Sequence, residues 1–139
     1  MVARYRFPKV LPKLTELQIK NLEKLANKLD TVPNNQFDMG DYFSNETLNW
    51  FKGPQRLTEK DYRPECGTCA CAVGWGPAAG VKVPRGVEDW NSYAELAFGA
   101  PPYSTALTEE GLYSYLFDQD QGGTAKAAAK RIRRVLARV

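Results

Sequence analysis

The chain has 139 residues, 43% of them hydrophobic, 12% aromatic and 25% charged, with a formal net charge of +3 and no histidine. These totals fit one globular domain, long enough to bury a core without disulfides or metal, and so mild a charge does not by itself imply a nucleic-acid binder. The missing imidazole excludes Ser-His-Asp and Cys-His nucleophilic machinery and a Cys2His2 zinc site built from this chain alone.

Residues 1–13, with Pro8 and Pro12 among basic and apolar residues, read as an extended arm. The arm lacks the continuous apolar core of a secretory signal, and no apolar run is long enough to span a bilayer. The expected compartment is therefore the reducing cytoplasm, where three cysteines are not a disulfide framework. From Thr15 the pattern changes. "TELQ" fits a capping box, and Ile19, Leu22, Leu25, Ala26 and Leu29 recur at helical spacing. The spacing predicts a helix over residues 15–30, stopped by Asp30, Thr31 and Pro33. "PNNQ" is a turn, "FDM" is too short to assign, and "SNETLNWF" fits a short helix ended by Gly53 and Pro54. A polar connection leads to "CGTCACAVGWG", residues 66–76, which holds all three cysteines. "GPAAG" breaks that segment, and "VKVPRG" alternates briefly, as a short strand or a loop. "EDWNSYAELAFG" predicts a helix with Trp90, Tyr93, Ala94 and Ala97 on one side and Gly99 as its C-cap. "TEEGLYSYLF" predicts another, capped by Thr108, with Leu112, Tyr115 and Leu116 facing inward. The last helix starts at Thr124. Ala128, Ile132, Val135, Leu136 and Val139 form its apolar stripe, and lysines and arginines cover the rest. The expected architecture is mainly α: residues 1–139 as a single compact domain of about five helices, with room for one short β-hairpin.

The order "FDMGDYF", "CGTCACAVGWG", "Y…AFG", "YSYLF" and "AAAKRIRRVL" resembles a group of small phage and prophage proteins. The likeness runs from about residue 22 onward. Its central motif falls on Cys66, Gly67, Thr68, Cys71, Gly74 and Trp75, and leaves Cys69 outside the pattern. The resemblance implies a phage or integrated-element source, and so a host-cell cytoplasm, rather than a reaction.

Several chemistries could use the cysteine segment. Cys66, Cys69 and Cys71 supply three thiolates, but a structural zinc needs a fourth ligand and no second CxxC exists. "CGTC" has redox-pair spacing without the preceding strand of such sites. A lone thiol nucleophile lacks its base. A helix starting near Thr68 could instead receive an anion at its unpaired N–H groups. Gly67 would allow close approach, Arg63, Lys82 and Arg85 would supply counter-charge, and Trp75, Trp90, Tyr93 and Tyr103 could stack on a nucleotide-type ligand. The plainest alternative is a close-packed central helix of small residues, with buried cysteines and Gly74 admitting a neighbour. The candidate ligand-binding residues are thus Arg63, Gly67, Thr68, Cys69, Trp75, Arg85, Trp90 and Tyr93. No metal or cofactor is expected.

On the final helix, Lys130, Arg131, Arg134 and Arg138 are the candidate partner-binding residues. A solvated polar face is the simpler account of these charges, and nucleic acid is not the favoured partner because no aromatics interleave them. With no catalytic set in view, the expected function is non-enzymatic. The protein would be a phage-type accessory protein that engages a host protein or complex, in host takeover or counter-defence. Binding or sequestering of a nucleotide-like small ligand is the alternative.

Overall fold

In the computed structural model, which describes residues 7–8, 11–39, 53–57, 70–100, 111–117 and 123–139, helix α1 (Glu16–Leu29) begins at the expected capping box. Thr15 Oγ1 accepts from the Gln18 amide at 3.1 Å, and Gln18 Oε1 accepts from the Thr15 amide at 3.0 Å. Two otherwise orphaned donors are satisfied, which fixes where the helix starts. Leu22, Leu25, Ala26 and Leu29 are buried as the periodicity predicts. Burying each leucine contributes about 1.5–3 kcal/mol relative to leaving it exposed.

Helix α2 (Trp90–Phe98) is capped by Asp89, whose Oδ1 accepts from the Ser92 amide at 2.7 Å. It ends as expected at Gly99, which has φ +70°. The Gly99 amide donates to Glu95 O and the Ala100 amide to Ala94 O, closing the last turn. Two further carbonyls at this end are taken by α1: Asn21 Nδ2 donates to Ala97 O at 2.8 Å and Gln18 Nε2 to Leu96 O at 3.3 Å. Asn21 is therefore a buried polar residue with a specific partner, inside a stripe that otherwise reads as leucine. Asn21→Ala is expected to lose about 1–3 kcal/mol, because a buried carbonyl is left unpaired. Urea unfolding of the two proteins would show it, and an unchanged midpoint would mean that water replaces the amide.

Helix α3 (Leu112–Phe117) buries Leu112, Tyr115 and Leu116 as predicted, with Ser114 and Phe117 in addition. Its expected cap, Thr108, lies outside the described residues. Helix α4 (Ala125–Leu136) is capped by Thr124, whose Oγ1 accepts from the Ala127 amide at 3.1 Å. It lays Ala125, Ala128, Ala129, Ile132 and Val135 inward and packs on both α1 and α3. The alanines let the backbones of α1 and α4 come close. Leu136 is half-buried and Val139 exposed, so the stripe ends one turn earlier than its sequence suggests.

Among the described residues four helices enclose one cluster of buried apolar residues. Rings run through it, the first two pairs edge to face and the third tilted. Trp90 and Tyr93 have centroids 5.8 Å apart, Tyr93 and Phe98 5.5 Å, and Phe98 and Phe117 5.6 Å. Such arrangements place positive ring edges against negative faces.

The described part of the cysteine segment differs from the expected helix. Ala70 forms a parallel bridge with Phe37: its amide donates to Gln36 O at 3.1 Å, and the Asp38 amide donates to Ala70 O at 3.0 Å. Two 3-10 turns follow, Val73–Trp75 and Pro77–Ala79. The bridge holds the chain extended at residue 70, and Pro77 cannot donate to a continuing α-helix, so only short turns fit between them. Close packing is nevertheless present, since Cys71 is 1% exposed. Residues 66–69 and the short helix expected over 44–51 lie outside the described residues. Among the described residues no hairpin forms. "VKVPRG" is a loop with a turn in which the Val87 amide donates to Pro84 O across Gly86, at φ +87°.

Candidate functional site

Arg131 and Arg134 lie in α4 at i and i+3, and Arg138 follows just past the helix end at Leu136. What Arg134 and Arg138 face comes from the opposite end of the chain. The Phe7 ring lies 5.2 Å from the guanidinium carbon of Arg134 and 5.3 Å from that of Arg138. Guanidinium groups at this distance are drawn to the negative face of the ring. Phe7 also stands edge-on to Tyr115 of α3, with centroids 5.3 Å apart. Phe7 is thereby seated between Tyr115 of α3 and the two arginines, and it is not among the expected binding residues. A lone phenylalanine before a proline in a basic arm was the available signal.

Arg131 corrects an expectation. As part of a polar helix face it should be solvated, yet it is only 8% exposed. Its Nε and Nη2 are buried and have no hydrogen-bond partner. Burial lowers its affinity for a proton, opposed by the nearby Tyr115. The guanidinium nevertheless stays charged near neutral pH, since its ordinary pKa is so high. Among the described residues Arg133 is the α4 arginine that finds a carboxylate. Its Nη2 donates to Asp30 Oδ2 at 2.5 Å and its Nη1 to Oδ1 at 3.2 Å, while Nη2 also reaches Asn27 Oδ1. That two-pronged bond holds the Asp30 carboxyl below the usual range. Arg133 belongs to the α1–α4 contact, whereas Arg131, near Tyr115, and Arg134 and Arg138, at Phe7, meet no carboxylate among the described residues. Lys130 is exposed, one turn before Arg134.

The candidate ligand residues do not converge. Trp75, Trp90 and Tyr93 are core residues rather than a stacking platform. Trp75 Nε1 donates to Gln36 O at 3.2 Å, and Tyr93 Oη donates to Val81 O at 2.8 Å. Burial raises the Tyr93 pKa far above that of a free phenol. These rings face inward because their polar tips find backbone carbonyls there. Arg63, Gly67, Thr68, Cys69 and Tyr103 lie outside the described residues. Arg85 is exposed on an open cleft of about 550 Å³, lined also by Lys82, Glu88, Pro54, Pro77 and Val83. None of the three core aromatics lines it.

No helix among the described residues is long and apolar enough to cross a membrane. No family model, curated protein or solved structure matches the chain.

Proposed function

We propose that this is a non-enzymatic binding protein whose α4 face, Arg131, Arg134 and Arg138 around Phe7, engages an acidic surface on a partner protein. The observation that supports it is that, among the described residues, Arg131 and Arg134 of α4 and Arg138 just past its end meet no carboxylate, beside Arg133, which does. Charges placed this way steer an oppositely charged partner and hold it in register. The phage-like segment order makes a host protein or complex the partner to seek, in takeover or counter-defence.

Reversing Arg134 and Arg138 together, Arg134→Glu with Arg138→Glu, is expected to abolish specific capture of a partner from bacterial host extract. Both side chains are exposed, so the fold should survive. Equal capture by variant and parent would sink the proposal. A second reading, a small anionic ligand held at the cleft by Lys82 and Arg85, is supported by those two cations lining it together. It predicts that the same double reversal changes nothing, whereas Lys82→Glu with Arg85→Glu loses the ligand.

A further inference from the structure

The Nε and Nη2 atoms of Arg131 form one edge of the guanidinium, the edge whose two N–H bonds run parallel. That edge matches the two oxygens of a carboxylate, in the two-pronged geometry that makes arginine pairs both strong and specific. Here it is buried beside Tyr115 and has no partner. A cation shielded from water and given no counter-charge is costly to keep. The side chain is built into the same patch as two exposed arginines, because Tyr115 meets Phe7 and Phe7 carries Arg134 and Arg138.

We propose that the Nε–Nη2 edge of Arg131 is the seat for one carboxylate of an acidic protein segment, with neighbouring acids of that segment held by Arg134 and Arg138. This rests on the binding face proposed above and names what that face recognises. The burial favours protein over nucleic acid. Backbone phosphates are usually met by long, exposed cations. A guanidinium edge closed to water is instead reached by a single group at the tip of a flexible side chain, as on Asp or Glu. Entry of the carboxylate requires the side chains that cover this edge of Arg131 to repack.

The test titrates a labelled deca-glutamate peptide, and a single-stranded thymidine oligonucleotide of matched charge, into the full chain. Peptide binding is expected, and Arg131→Met should weaken it at least about thirtyfold, as removal of one member of a buried charged pair does. The thermal midpoint of the free Arg131→Met protein should hold or rise, since an unpaired buried cation gives way to an apolar side chain. Arg131→Lys, which keeps the charge but not the two-pronged edge, should also lose affinity, and it decides the matter if Arg131→Met fails to fold. If the peptide does not bind the parent protein, the proposal fails. If Arg134→Glu with Arg138→Glu abolishes peptide binding while both Arg131 variants bind normally, the face stands and the role of Arg131 is overturned. If none of these variants matters, both fall. Tighter binding of the oligonucleotide, weakened by Arg131→Met, would overturn the assignment to a protein carboxylate.

Discussion

Phe98→Ala is expected to cost about 3–5 kcal/mol, a large share of the roughly 5–15 kcal/mol that holds an ordinary domain together. Phe98 is fully buried at the end of α2, between Tyr93 and Phe117. Its removal leaves a cavity that α2 and α3 cannot both close, and takes two ring contacts with it. One residue pair away, Leu96 is 53% exposed on the same helix, and Leu96→Ala should change stability by less than about 0.5 kcal/mol. Urea midpoints of the two variants would make the comparison, with helix propensity nearly matched because alanine replaces both. Similar losses at the two sites would mean that the ring chain does not carry the core.

Gly76→Ala is expected to be nearly as damaging, for the opposite reason. The backbone there has φ −54°, which any residue can adopt, so the objection is purely one of space. An added Cβ would stand 2.5 Å from Tyr93 Oη and 2.7 Å from its ring carbon Cε2. The ring cannot swing away without breaking the Tyr93–Val81 hydrogen bond. Overpacking of this kind costs about 1–3 kcal/mol. A double-mutant cycle isolates the cause: in a Tyr93→Ala background the cost of Gly76→Ala should nearly vanish, since the atoms it meets are gone. Additive costs would place the strain in the backbone of the 76–80 turn instead.

These two sites mark where the sequence was legible and where it was not. The ends of α1, α2 and α4 could be read because each is set by residues within four positions: Thr15 with Gln18, Gly99 after Phe98, and Thr124 with Ala127. The inward faces of the helices followed from the 3.6-residue period. The small residues of the cysteine segment suit a helix. The bridge from Ala70 to Phe37 that extends the chain there depends on a residue 33 positions away, and no local pattern announces it. The aromatics Trp75, Trp90 and Tyr93 could have lined a pocket or filled the core. Only the carbonyls of Gln36 and Val81, distant or non-periodic in sequence, show where the polar tips of Trp75 and Tyr93 are drawn. The basic pattern of the C-terminal segment marks a charged face but not the division of its arginines: Arg133 to Asp30, Arg134 and Arg138 to Phe7, and Arg131 inward. Each of those destinations lies on another element.

The clasp between Asp30 and Arg133 joins residues 103 positions apart, and the helices it ties, α1 and α4, cover one another's apolar stripes. During synthesis, Leu22, Leu25 and Leu29 therefore leave the ribosome long before α4 exists to receive them. Closing so long a segment is entropically expensive and slow, and an amphipathic helix without its mate is a target for chaperones and for association with other nascent chains. The capping box at Thr15 and Gln18 acts in that interval. It favours the helical shape of α1 by about 0.5–2 kcal/mol through bonds that need no distant partner, before the last helix can dock.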